Sequence, residues 1–374
     1  MNFDLTDEQR GLVDVTRELL DRHSSVTASR ALIDGAAGYD EQLWRKGVEL
    51  GWPALAIPEA DGGLGQQSIE LTLVAIELGR GLASTPFLPT VVVADALTRS
   101  TAAGRSELLS ALASGAQTAS WAFAEVGRPW STAGIQTTAT RDGSGYVITG
   151  AKASVQDADS AATLLVDAML DGRPARFLVP ADATGVKIER QHTLDVTRRY
   201  CDVVLDGAMV DGSALCAEGA DAEKSIARSG ELAAVLTCAE LVGIGERLLD
   251  LTVAYVKERV QFGKPVGSFQ AVKHKCADMR IWAQSSAAAT YFAAMTLDSE
   301  HHDSAHAAGV AKAYVSDAVN RLAGEALQLH GGIGFTWEHD LHLLLRRARV
   351  GAALYGDADH HREQLCRAQV LAST

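Results

Sequence analysis

Apolar and polar positions alternate in three successive regimes along the chain. In the first, Thr6 stands three residues before Gln9, the spacing of a capping box, and Leu12, Val13, Val15, Leu19 and Leu20 then form a broad apolar helix face. The segments "EQLWRKGVELGW" and "IELTLVAIELGRGL" keep that helical period. Around residue 117 it gives way to short β-rich pieces, "GYVITG", "ATLLVDAML", "ARFLVP", "VKIER" and "CDVVLDGAMV", separated by Gly, Asp and Pro. From about residue 222 helical periodicity returns through "AELVGIGERLLDLTVAYVKERV", "AVKHKCADMRIWAQSSAAATYFAAM" and "SDAVNRLAGEALQLH". The pattern predicts an α+β protein: a helical domain over 1–116, a β domain over 117–221 and a helical domain over 222–374.

Length supports that division, since 374 residues exceed what one hydrophobic core holds. A net charge of −13 argues against nucleic acid, whose phosphates demand clustered Lys and Arg. No apolar run reaches the roughly 20 residues of a membrane helix, and the start "MNFDLTDEQR" does not read as a signal peptide. The five cysteines are scattered and form no CxxC, so the expected setting is the reducing cytoplasm.

Two stretches carry chemistry. "ERVQFGKPVGSFQAVKHKCADM" breaks two helices with a Gly-Lys-Pro turn that gathers Arg259, Phe262 and Gln270 at one corner; a guanidinium fork beside an aromatic and an amide suits a phosphate or nucleotide edge, although on spacing alone it reads more simply as an ordinary helical hairpin. "QLHGGIGFTWEHD" places adjacent glycines after a helical run, where backbone N–H groups can approach an anion, although no preceding strand makes it a dinucleotide fingerprint.

Together, "RVQFGKPVGSFQAVKHKCADM" and "QLHGGIGFTWEHDLHLLLRRAR" resemble the acyl-CoA dehydrogenase family, and the resemblance spans essentially the whole chain. It implies an acyl-CoA dehydrogenase-like fold with an N-terminal α-helical domain, a central β-sheet domain and a C-terminal four-helix bundle. It also implies a dimer of dimers around FAD, an acyl-CoA substrate and electron-transfer flavoprotein as acceptor. Under it, Arg259, Phe262 and Gln270 match residues that hold the FAD of a neighbouring subunit, and Gln328, Leu329, His330, Gly331 and Gly332 match the bundle segment contacting the same FAD.

The resemblance fails where the family does its chemistry. Removing an α-proton needs a carboxylate, yet in "RRARVGAALYGDADHHR" Tyr355 stands at the usual Glu position, and Ala233 at the alternative one on an earlier helix. Glu231, two residues off, is expected to face away, because two residues rotate a side chain by roughly 200°. Asp357 is a weak candidate base that reads more simply as a helix cap. The flavin loop, usually Thr-Glu-Pro-Gly-x-Gly-Ser, is "AEVGRPWSTAG", with Trp130 for the Ser, and Ser154, Val155 and Gln156 replace a Trp-Ile-Thr. No metal site is expected of His301, His302 and His306, and His360 and His361 are expected to face solvent or another subunit.

Losses cluster on the isoalloxazine and thioester side, while the adenosine and pyrophosphate contacts survive. The expectation is a base-lacking subunit that completes the FAD site of a second acyl-CoA dehydrogenase subunit in an α2β2 assembly. Alternatives are a self-sufficient homotetramer with a non-standard base, or a flavin-dependent monooxygenase on the same scaffold.

Overall fold

The computed structural model describes residues 4–23, 26–33, 35, 38–299 and 303–372. Six helices lead: α1 (Asp7–His23), α2 (Val26–Ile33), α3 (Glu41–Glu49), α4 (Ser68–Arg80), α5 (Phe87–Thr98) and α6 (Arg105–Ala113). The capping box forms before α1: the Thr6 N–H donates to Gln9 Oε1 at 3.0 Å and the Gln9 N–H to Thr6 Oγ1 at 3.2 Å. α4 and α5 are buried almost all round, which explains why their sequences show no polar face.

Strands β1 (Ala119–Ala122), β2 (Thr138–Asp142), β3 (Gly145–Gln156), β4 (Thr163–Leu170), β5 (Arg173–Pro180), β6 (Val186–Arg190), β7 (Tyr200–Asp211) and β8 (Leu215–Glu218) follow. Their order is β6-β7-β3-β2-β4-β5-β8, with β1 paired in parallel to β4. Period-two alternation divides strands β1, β4, β5 and β8 between two cores. On β4, Leu164 and Val166 pack within the β domain against Phe177 and Val203, whereas Leu165 and the β1 residue Trp121 join the core of the helical parts. That shared face is where sheet and helices meet.

The C-terminal part comprises α7 (Ala220–Glu258), the short hairpin β9 (Val260–Gln261) and β10 (Lys264–Pro265), α8 (Gln270–Asp298), α9 (Ser304–His330), α10 (Leu341–Ala353) and α11 (Ala358–Ala372). α7 runs 39 residues, about 58 Å at 1.5 Å per residue. It crosses α4 at paired glycines: a Cβ on Gly243 would sit 1.9 Å from the Ile76 carbonyl oxygen and one on Gly79 2.1 Å from that of Glu240. Backbone touches backbone there, so neither position admits a side chain. Among the described residues no helix is long and apolar enough to cross a membrane.

Candidate functional site

The turn joining α10 to α11 carries Tyr355 in a left-handed conformation, φ +56°, followed by Gly356 at φ +90°. A non-glycine residue pays about 1–2 kcal/mol for this, so something must hold it. Lys312 on α9 does. Its Nζ, fully buried, donates to the carbonyls of Gly351 (3.1 Å), Ala352 (3.0 Å) and Gly356 (2.9 Å) and to Ser316 Oγ (3.3 Å). The Gly351 and Ala352 carbonyls are orphan acceptors at the C-terminus of α10, and a cation there also meets the negative end of the helix dipole. Burial pulls the ammonium down to about 8. His361 adds a contact from its Nε2 to the Tyr355 carbonyl at 3.0 Å, and burial lowers its imidazole to about 4. The solvent- or subunit-facing role expected for His361 is therefore corrected: the sharp turn brings α11 back beneath its own start.

Held this way, the Tyr355 ring enters an aromatic cluster. It lies parallel to Trp121 (6.2 Å between centroids, 6° between planes) and edge-on to Trp130 (5.3 Å, 60°). Trp121 stacks on Phe123 at 4.9 Å, and Phe123 meets Trp130 at 6.2 Å. Burial pushes the Tyr355 phenol above its ordinary value, outweighing Arg198, so it is no base at neutral pH. Asp357 is exposed and accepts the His360 N–H at 2.8 Å, the role of an N-cap for α11. Ala233 is buried in the helical core, and Glu231 accepts from Ser304 Oγ at 3.0 Å on another face of α7.

Behind Tyr355 lies a buried polar network. Arg198 Nη1 donates to Glu240 Oε2 at 2.7 Å, with a second close contact between Nη2 and Oε1. Arg347 donates to Asp195 Oδ2 (3.1 Å) and to the Ala83 carbonyl (2.6 Å), and meets the Thr197 hydroxyl. The cavity left among Gln156, Arg198, Tyr200, Thr237, Glu240 and Arg347 measures only ≈ 10 Å³. That is room for about one water and no acyl chain. Next to the network, burial raises the Asp157 carboxyl to about 7. Ser154, where the resemblance calls for a Trp, sits at φ +54° in a β-bulge between Lys152 and Val155.

In the adjoining loop Glu125 receives Lys152 Nζ (2.7 Å), Thr137 Oγ1 (2.8 Å) and the N–H groups of Thr137 and Gln136. Burial alone would raise its carboxyl, but Lys152 and Thr137 bring it below the ordinary value. It shapes the loop that carries Trp130.

The second group of expected residues lies at the opposite end of α9. Lys312 and His330 are 18 residues apart, about 27 Å of helix. Arg259 caps α7, Phe262 stands at φ +53° in the β9–β10 turn and Gln270 opens α8; all three are exposed, Phe262 to 90%. The His330 ring stacks on Tyr255, one turn before Arg259, at 4.5 Å, so the two motifs share one end of the bundle. Gln328, Gly331 and Gly332 are exposed and Leu329 half-buried; a Cβ on either glycine would meet nothing within 4 Å. Around them Val260, Ile333, Phe335 and Trp337 leave apolar surface uncovered.

The two ends differ in their fit to a flavin nucleotide. Inserting a planar ring between Trp121 and Tyr355 requires about 7 Å, two van der Waals contacts of ~3.5 Å, and the centroids are 6.2 Å apart. The ring does not fit there. At the bundle end, an arginine fork, an open pair of glycines and exposed aromatics suit a phosphate and an adenosine. His301 and His302 lie outside the described residues, His306 is exposed on α9, and among the described residues no cluster of His, Cys, Asp or Glu could hold a metal.

Helices before and after a mixed sheet, ending in a helical bundle, match the scaffold of the flavin-dependent acyl-CoA oxidoreductases. The chain belongs to the acyl-CoA dehydrogenase family, whose members act on the CH–CH bond of acyl-CoA thioesters: residues 6–116 match the model of the family's N-terminal domain and residues 230–370 that of its C-terminal domain. It is 34% identical to the acyl-CoA dehydrogenase IpdE2 of Mycolicibacterium smegmatis, over 97% of this chain and 98% of that protein. Among solved structures it resembles a variant of the Tcur3481-Tcur3483 steroid ACAD (29% identity, TM-score 0.89, 98% and 99% of the two chains). It also resembles the ChsE4-ChsE5 complex of Mycobacterium tuberculosis (28%, TM-score 0.90, 100% of both chains).

Proposed function

We propose that this chain is the base-lacking subunit of a heteromeric, FAD-dependent acyl-CoA dehydrogenase and that its bundle end completes the FAD site of a carboxylate-bearing partner. One observation carries the reading: Trp121, Trp130 and Tyr355 fill the ring end, and the Arg198–Glu240 pair leaves only ≈ 10 Å³ behind it. Two of the similar structures bear paired names, Tcur3481-Tcur3483 and ChsE4-ChsE5, which supports an assembly of two related chains.

In that assembly Arg259, Phe262 and Gln270 would hold the pyrophosphate and adenosine of FAD, and the Gln328–Gly332 segment would contact the same nucleotide. FAD, when bound, supplies the acceptor for the β-hydride, and electron-transfer flavoprotein reoxidises it. The partner brings the base that removes the α-proton. Tyr355 contributes no proton transfer here: it is a packing residue that seals this chain's own ring pocket. The word "steroid" in one similar structure's name suggests a bulky polycyclic acyl group as substrate.

Co-expression with a second family member encoded beside it tests the reading. The pair should purify as a stoichiometric yellow complex that turns over an acyl-CoA, and Arg259→Ala should release FAD from it. Full turnover by the partner alone would count against a completing role.

A further inference from the structure

The small chamber behind Tyr355 is built by two regular patterns. On the sheet, Gln156 of β3 and Tyr200 of β7 are direct cross-strand partners, so their side chains stand side by side on one face. On α7, Thr237, Glu240, Leu241 and Ile244 follow one another at helical spacing and line the same space. Gly351 of α10 lets a third element close in: a Cβ there would already stand 3.3 Å from Leu241 Cδ2. Gln156, Tyr200, Thr237 and Glu240 are all buried.

The lining divides into groups whose hydrogen-bonding capacity is spent and groups with capacity left. Arg198 gives both of its terminal nitrogens to Glu240, and Arg347 spends its donors on Asp195, the Ala83 carbonyl and Thr197. Two cations are thus matched by two carboxylates, and the chamber calls for no ion. Thr237 donates its hydroxyl to the Ala233 carbonyl at 2.7 Å, which leaves the oxygen free to accept. Gln156 gives its amide nitrogen to Asp157 at 3.1 Å, which leaves the amide oxygen. The Tyr200 hydroxyl has no partner among the described residues. Burial raises that phenol above its ordinary value, so it keeps a proton to donate.

One unused donor and two unused acceptors therefore belong to a space of ≈ 10 Å³, the size of one water. Buried polar groups left without partners are costly, and a neutral molecule that both accepts and donates is what this set lacks. We infer that the chamber is a binding site for a single ordered water, which accepts the Tyr200 O–H and donates to the Thr237 and Gln156 oxygens. The water joins strands β3 and β7 to α7 where sheet and bundle meet, so solvent rather than an acyl chain completes the interior behind Tyr355. The site stands whether or not the chain needs a catalytic partner.

A crystal structure of the full chain, in the assembly in which it purifies and at a resolution that shows ordered waters, tests this. A second crystal grown in bromide distinguishes water from an anion by anomalous scattering. The parent should show one water peak within hydrogen-bonding distance of Tyr200 Oη, Thr237 Oγ1 and Gln156 Oε1, with no bromide signal. Tyr200→Phe combined with Thr237→Val keeps the shapes and removes the donor and one acceptor, and the peak should be lost. No peak in the parent, a bromide signal in its place, or an undiminished peak in the double variant would overturn the assignment.

Discussion

The two ends of α9 show opposite uses of surface. Around Lys312 and Tyr355 the interior is packed: aromatic rings stack, and a buried lysine is spent on backbone carbonyls. Around His330 the chain leaves glycines bare and five large apolar side chains uncovered. A protein with its own complete site would keep a cavity at the first end. One that serves a neighbour needs only the second, and uncovered apolar surface is stable in solution chiefly when another chain covers it.

The comparison breaks most severely at the buried ion pair. Glu240→Ala leaves Arg198 charged and unpaired in the interior, which should cost roughly 3–5 kcal/mol; chemical denaturation would read it, and a cost below ~1 kcal/mol would mean that water reaches the pocket. At the open end Arg259→Ala should leave folding intact but weaken FAD retention in the assembly by about 10- to 150-fold, since a charge-assisted phosphate contact is worth ~1.5–3 kcal/mol. Flavin content after gel filtration measures this.

A pH effect follows from Asp157. Its carboxyl is near 7 in the folded chain, above its ordinary value because of burial. A raised carboxyl gives stability that is present below the unfolded value, about 3.9, and is lost as pH rises to about 7. Asp157→Asn should remove that decline, so the difference between variant and parent in denaturant midpoint should grow from pH 4 to pH 7 and level off above. A constant difference would place the Asp157 carboxyl at an ordinary value. The smallest effect is expected at Tyr355→Phe, which keeps the ring: turnover of the assembly should change less than twofold, whereas a hundredfold loss would make the phenol catalytic.

Much of this organisation was legible in the residue pattern. The Thr6–Gln9 box, the cap at Asp357 and the helical, β, helical order rest on local periodicity and short-range hydrogen bonds, which sequence displays directly. The filling of the ring end was not. Arg198 and Glu240 are 42 residues apart, and Arg347 and Asp195 152 apart, so their pairing depends on how sheet and bundle meet. Lys312 lies in an Ala-rich helix where a lysine reads as surface, although its neighbours Ala311 and Ala313 are buried. Trp121 was hidden in a short apolar strand, and only the left-handed turn at Tyr355 brings the two rings together.

The central claim is that this chain cannot work on its own flavin. The direct test is the visible spectrum of the chain purified alone, recorded without oxygen before and after a panel of acyl-CoAs that includes a steroid side-chain thioester. A colourless protein, or a flavin band that no acyl-CoA bleaches, with bleaching restored by the partner subunit, is the predicted result. A flavin band that bleaches in the lone chain would contradict the account and show that the Trp121–Tyr355 contact opens to a working site.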